Sequence, residues 1–365
     1  MDATTRTTGA GRPLLLSLTA AAVLTAFLAL VTFGVTATAA PRDLPLVLAV
    51  DGDGPQRQAL ERAAGQIGSR SGEEIAWRTA GSAAEARVLL DDKQAYGALV
   101  LAATPGSAVP ATTVLVNGGM NAPGAQVAAQ VLPQVAQQVV AQAGGGAAGA
   151  GSPVRVETVN PASGPGRTVP VAASALLWIT ALVAGAAGYV LLRHARIGPR
   201  RSVWLRAVLA LLAGVTGTAV VAGFVALWDS GLDAGWPVLG FLALVGTAFA
   251  LLAAAVLAWL GLRGMALLGP LYLLAPAVAG QPPEFLDPAY RVLLWSWTPF
   301  RFSAEGLRSL LFFDGAPGMG VPVAVFTGIA VVSLALLLAR LRRAERADEP
   351  AGPSVPSPRQ PAPVS

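Results

Sequence analysis

The sequence predicts an α-helical polytopic membrane protein with six transmembrane helices and a small α/β extracytoplasmic domain between spans one and two. Three observations predict it. Hydrophobic residues make up 54% of the 365 positions and charged residues only 12%, with a mean hydropathy of +0.60; an average soluble domain carries about 25% charged residues. Long uncharged stretches alternate with short polar turns, and one mixed-composition insert interrupts them. Arginines gather at the ends of particular stretches, the pattern by which membrane topology is set.

Residues 1–13 form a short polar tail with Arg6 and Arg12. Residues 14–40 then run without a charge, long enough to cross a hydrocarbon core of about 30 Å. Ala37-Thr38-Ala39 resembles a signal-peptidase site, but the apolar run exceeds the ~7–15 residues of an ordinary signal peptide. The stretch is read as an uncleaved signal-anchor, the first transmembrane helix, which leaves the following residues outside.

The insert, residues 41–170, alternates strand and helix patterns. Leu44–Val50 is a short apolar run ended by Asp51-Gly52-Asp53-Gly54, a buried strand followed by a turn. The two aspartates do not make a calcium loop, which needs ligands continuing to a distant glutamate. A helix is expected over 55–67 and a strand over 74–79. Ser82-Ala83-Ala84-Glu85 is a capping box opening a helix through Leu90. Strands are expected over 95–101, 112–116 and 154–159, with a glutamine-rich helix over 126–142. Such alternation implies an α/β domain with a partly parallel sheet. Gly144–Gly151 contains a formal G-x-G-x-x-G, but it lacks the preceding strand and following helix a dinucleotide site requires. It is read as a linker.

The five-helix membrane domain, residues 171–340, has spans at 171–192, 207–227, 237–262, 265–280 and 321–339. The 265–280 segment is short and carries Pro270 and Pro276, so it must kink or thin the bilayer. Arg193, His194, Arg196, Arg200, Arg201 and Arg206 crowd one loop, and Arg340, Arg342, Arg343 and Arg346 follow the last span; both clusters mark the cytoplasmic side. His194 is read as an interfacial polar residue. Both termini then lie in the cytoplasm, and 41–170 and 281–320 lie outside. Residues 341–365 are a Pro/Ser-rich disordered tail.

Within the outer 281–320 segment, Thr298-Pro299 starts an amphipathic helix over 298–313. Phe300, Ala304, Leu307, Leu310 and Leu311 share one face. Arg301, Glu305 and Arg308 share the other, read as a solvated face with i, i+3 and i, i+4 pairing. Trp295 and Trp297 are the expected interfacial anchors.

Much chemistry is excluded. Cysteine is absent and His194 is the only histidine, so disulfides, thiolate nucleophiles and His-pair metal sites are ruled out. No P-loop, G-x-S-x-G or H-E-x-x-H pattern occurs. The expectation is therefore no enzyme, no catalytic or metal residues and no cofactor. The net charge of +5 belongs to topology-determining arginines and not to a nucleic-acid patch. Away from their ends, the spans carry no ionisable group, which argues against a carrier with its own proton relay.

Three segments carry a resemblance. They are Leu44–Asp51 after the anchor; Ser82-Ala83-Ala84-Glu85-Ala86 leading to Tyr96-Gly97-Ala98-Leu99-Val100-Leu101; and Trp297-Thr298-Pro299-Phe300 with Ala304-Glu305-Gly306-Leu307-Arg308-Ser309. Together with the order one span, insert, five spans, they resemble the membrane subunits of type 2 ABC transporters, and within these the YhgE/Pip (phage-infection-protein-like) branch. The insert is short beside that family's coiled-coil versions. The resemblance implies an export-type permease subunit in the cell membrane, driven by a separate ATPase and often paired with a second copy of itself. It implies an ATPase docking surface on the 1–12 tail and on Arg193, Arg196, Arg200, Arg201 and Arg206, and an outer gate at Pro299, Glu305 and Arg308. Small-residue pairs such as Gly214 and Thr218 are too common in alanine-rich spans to assign a dimer seam. The alternative is a non-transporting surface or secretion-accessory membrane protein whose extracytoplasmic domain binds a partner.

Overall fold

The computed structural model describes residues 11–70, 73–103, 110–143, 154–195 and 197–347. The expected linker at 144–151, Arg196, the 1–10 segment and the tail beyond Ala347 lie outside the described residues. The molecule has two parts, a helical bundle and a small α/β domain seated on one of its ends. Among the described residues, five helical stretches are long and apolar enough to cross a membrane: Leu18–Thr38, Gly166–His194, Pro199–Trp228, Trp236–Ala279 and Gly320–Arg346.

The α/β domain follows the predicted order. β1 (Leu44–Asp51), α3 (Gly54–Arg70), β2 (Ile75–Ala80), α4 (Ala83–Asp91) and β3 (Gly97–Ala102) are followed by β4 (Ala111–Asn117), α5 (Ala122–Ala143) and β5 (Arg155–Val159). The sheet order is β2-β1-β3-β4-β5. β1 pairs in parallel with β2 and β3, β3 pairs antiparallel with β4, and β4 pairs in parallel with β5. β1 up to Val50 and β3 are apolar because helices cover both faces of the sheet, as parallel strands require. Leu44, Leu46, Leu48, Leu99 and Leu101 face the α3/α5 side, and Val47, Ala49, Ala98 and Val100 face α4. Each large aliphatic side chain so buried stabilises the domain by about 1.5–3 kcal/mol.

The local signals act as expected. Ser82 Oγ accepts from Glu85 N–H at 3.1 Å, and Glu85 Oε2 accepts from Gly81 N–H at 2.7 Å, so the box caps α4 from both sides. The Asp51–Gly54 turn uses Gly52 (φ 117°) and Gly54 (φ 77°), conformations that a side chain would strain.

In the bundle, α1 (Gly11–Ala29) continues through a π-turn at Leu30–Gly34 into α2 (Val35–Ala37). Three long helices follow: α6 (Val169–His194), α7 (Pro199–Trp228) and α8 (Trp236–Leu260). The last is α12 (Gly320–Ala347). α8 is central and packs on α6, α7 and α12. At the α7/α8 crossing, a Cβ added to Gly246 would stand 3.0 Å from Gly214 Cα. The small residues of these helices therefore serve contacts within the bundle, where close backbone approach gains dispersion.

α8 ends at Gly261, whose φ of 62° breaks the helix. The following α9 (Gly264–Leu271) contains Pro270 and leads to a π-turn at Ala275–Ala279. That turn packs on α2 and on α11 (Pro299–Phe312), at the end of α8 from which the chain set out. The apolar stretch 236–279 thus folds back on itself, with its second limb broken where the prolines deny backbone N–H groups. A single turn, α10 (Pro288–Tyr290), precedes α11.

α1 touches the bundle sparingly. The buried residues that follow it are Val31 in the π-turn and Val35 in α2, and Tyr290 Oη donates to Leu30 O at 3.1 Å. A π-turn leaves such a carbonyl available.

Candidate functional site at the junction of the two parts

Pro299, Glu305 and Arg308, expected at the outer gate, all belong to α11, which lies between the bundle and the α/β domain. Thr298 takes the N-cap position and Pro299 the first turn, but the Thr298 side chain makes no capping hydrogen bond. Its Oγ1 and Trp178 Nε1 are buried with no hydrogen-bond partner among the described residues. The apolar face of α11, expected to lie at the outer interface, enters the bundle core. Phe300 lies 5.3 Å from Trp178 and 5.6 Å from Phe249, ring centre to ring centre, and Phe249 meets Phe326 at 5.4 Å. Ser303 Oγ lies 2.7 Å from Ser174 Oγ of α6.

The polar face of α11 corrects the expectation. It is only partly solvated: Glu305 keeps 38% of its side chain exposed, but Arg308 is only 8% exposed, and the α/β domain covers it. Of the two expected pairings, Glu305 makes the i, i+4 ion pair with Arg301, at 3.9 Å, and not the i, i+3 pair with Arg308. The Arg301 guanidinium lies 4.0 Å from the ring centres of both Trp295 and Phe302, so Trp295 holds a cation while Trp297 remains exposed. A polar helix face reads the same in sequence whether water or another polar surface covers it.

The covering surface is the edge of the sheet holding the amino ends of β1 and β3 and the carboxyl end of β4. Lys93, in the left-handed region at φ 59°, follows α4 and precedes β3. It is the only lysine in the chain, and its Nζ donates to Ser309 Oγ at 2.5 Å. Tyr96 Oη donates to Glu284 Oε2 at 3.1 Å. A Cβ on Gly119 would stand 2.7 Å from Phe312 Cβ. The loop before α11 reaches into the domain: Phe285 joins the core of Leu44, Leu46, Tyr96 and Leu132. Its backbone carbonyl and that of Glu284 accept from Ala40 and Arg42 N–H. On the other flank, Ser163 hydrogen-bonds Asp229 of the α7–α8 turn.

Burial dominates the electrostatics. It pushes the Glu305 carboxyl above the ordinary carboxylate range, with Arg301, Lys93 and Arg308 pulling it back. It raises Glu284 likewise, and a backbone hydrogen bond, the Tyr96 hydroxyl and Arg291 partly offset the rise. The Tyr96 phenol is driven well up, first by burial and then by the Glu284 charge. Lys93 and Arg308 are lowered by burial, each opposed by Glu305. Charged groups removed from water are retained only when paired or hydrogen-bonded, and here both domains contribute the partners. The arrangement holds no nucleophile–base pair; it is a polar seam joining two bodies.

The expected docking arginines separate. Arg193, Arg200 and Arg201 are exposed at the end of the bundle remote from the α/β domain, with Arg200 paired to Glu345 at 2.7 Å. Arg206 is withdrawn: it is half-buried, 5.7 Å from the Tyr189 ring centre, and its Nε donates to Ser202 Oγ at 3.4 Å. It does not belong to a surface a rigid partner can touch. His194 is exposed, with Nδ1 2.8 Å from Val190 O. Sequence reasoning missed Lys93, Tyr96 and Glu284; the uniqueness of Lys93 was the one signal that marked any of them. Comparison with family models, curated proteins and solved structures finds no match to this chain.

Proposed function

We propose that the chain is the membrane permease subunit of an ABC-type exporter, moving an unidentified substrate with energy from a separate ATPase. In this reading the apolar stretch 236–279 supplies two crossings, making six. The α/β domain is extracytoplasmic, both termini are cytoplasmic, and the protein sits in the cell membrane as a multi-pass subunit, paired with a second copy as in the family it resembles. The observation that carries the reading is the placement of α11: Phe300 is packed against Trp178 and Phe249, while Ser309 is held by Lys93 of the α/β domain. A movement of the bundle helices is thereby passed to the outer domain through one short helix. Pro299, Glu305 and Arg308 act as an outer latch in this account, not as substrate contacts. The ATPase meets the exposed Arg193, Arg200 and Arg201. The test is extraction of the full-length protein from cells that natively produce it. A soluble ATPase that co-purifies, and whose activity the subunit stimulates, supports the reading; its consistent absence sinks it. Replacing Arg193, Arg200 and Arg201 with alanine is expected to release that ATPase.

The alternative, an accessory membrane protein whose outer domain binds a partner, draws on one observation. The order β2-β1-β3 reverses at β1, and ligands of open α/β sheets bind where such a reversal opens a crevice at the carboxyl ends of the strands. Those ends, at Asp51–Gly54 and Ala102, point away from the bundle.

A further inference from the structure

At the end of the bundle remote from the α/β domain, a cavity of about 210 Å³ opens between α7, α8 and α12. Its upper wall is apolar, formed by Val203, Ala258, Leu337 and Leu341. Its polar lining is Ser202, Arg206 and Arg340. Arg206 stands seven residues into α7, and Arg340 seven residues before the end of α12, so each lies about 10 Å from its helix end. The two cations therefore face one cavity at matching depth, and Arg340 is close enough to act electrostatically on Arg206. Among the described residues lining this cavity there is no carboxylate. An adjoining cleft of about 900 Å³ adds Arg201, Arg342 and Arg346, with Glu345 already engaged by Arg200.

Two like charges beside apolar walls are costly. Half-buried Arg206 is partly desolvated, and the neighbouring charge of Arg340 adds repulsion. An anion between the guanidiniums would remove both penalties, since Arg forks match phosphate oxygens. The cavity holds roughly seven times the ~30 Å³ share of a liquid water, enough for a tetrahedral oxyanion with some hydration. The apolar wall beside the arginines suits the glycerol and acyl portion of a phospholipid.

We infer that Arg206 and Arg340 form a binding site for a phosphate-bearing anion, filled from the bilayer by the headgroup of an anionic phospholipid. The site does not depend on the transport reading, because it is defined on the purified subunit without an ATPase. The experiment uses the full-length protein in detergent, with phosphatidylglycerol, phosphatidylcholine and inorganic phosphate as separate probes, read by native mass spectrometry and thermal midpoint. The expected result is saturable retention of phosphatidylglycerol over phosphatidylcholine. Arg206→Gln and Arg340→Gln should each weaken it about tenfold or more, the scale of a lost charge-assisted hydrogen bond. Arg206→Lys, which keeps the charge, retains part of the binding, and Arg87→Gln, on the α/β domain, leaves it unchanged. Arg340 is exposed, so Arg340→Gln remains decisive if Arg206→Gln fails to fold. Protection by inorganic phosphate alone, lost in the same two variants, supports the site and assigns its source to the free oxyanion. Equal retention of both lipids without a phosphate effect, or unchanged binding in Arg340→Gln, overturns it.

Discussion

Lys93 Nζ donates to Ser309 Oγ at 2.5 Å across 216 positions of chain, and this bond ties the only lysine to the helix that enters the bundle core. Ser309 Oγ also lies 2.9 Å from Pro317 O and 3.0 Å from Glu305 O, so the ammonium meets a hydroxyl already oriented by two carbonyls. Hydrogen bonds involving a charged group are worth about 1.5–3 kcal/mol. Lys93→Met should therefore loosen the seam by roughly tenfold or more in its opening equilibrium. Amine acylation gives a second check, because Lys93 is the one reactive side chain of its kind: modification in native protein should be slow, and faster in Ser309→Ala. Equal rates in both proteins would argue that the bond carries nothing.

The absence of cysteine makes the seam directly testable by a designed disulfide. A Cβ at Gly119 would come within 2.7 Å of Phe312 Cβ, closer than the ~3.5–4.5 Å of a disulfide, so a shift of about 1 Å suffices. Gly119→Cys with Phe312→Cys should oxidise to a single intramolecular bond, visible as a mobility shift reversed by reductant. On the permease reading, the locked protein should also lose ATPase stimulation and regain it on reduction.

The pH dependence has a definite sign. Glu284 and Glu305 are raised above the ordinary carboxylate value of about 4.3, so the folded seam binds more protons than the unfolded chain. Their protonation stabilises the seam fully below about 4.3, and this contribution is lost as pH rises through the raised values. Lys93, lowered by burial, works oppositely: its penalty is relieved as pH climbs from its lowered value towards about 10.4. The thermal midpoint of the wild type should fall, as pH rises from about 4.3 through the raised carboxylate values, relative to Glu284→Gln/Glu305→Gln, which keeps neutral groups there throughout. Parallel midpoints in the two proteins would remove these carboxylates from the account.

Tyr290 and Gly34 hold the first helix in place. A Cβ on Gly34 would sit 1.9 Å from Tyr290 Oη, and that hydroxyl donates to Leu30 O. Gly34→Ala should displace Tyr290 and lower the thermal midpoint, with a cost of about 1–3 kcal/mol, the range for overpacking. Tyr290→Phe, which removes only the hydrogen bond, should cost about 0.5–1.5 kcal/mol. Destabilisation in the opposite order would contradict the close approach.

The strands and helices of the α/β domain, the Ser82–Glu85 cap and the apolar face of α11 follow from the sequence by itself, because they rest on periodicity and on contacts a few residues apart. Hydropathy likewise marks the apolar stretches, since bilayer thickness sets their length. Only the tertiary structure decided what covers the polar face of α11. Arg308 reads as an exposed arginine until Tyr96 and Lys93, more than two hundred positions earlier, close over it, and nothing local distinguishes a face turned to water from one turned to another polar surface. It also decided that Arg206 leaves the arginine cluster to share a cavity with Arg340, because helix depth and facing partners, not spacing along the chain, determine which charges meet.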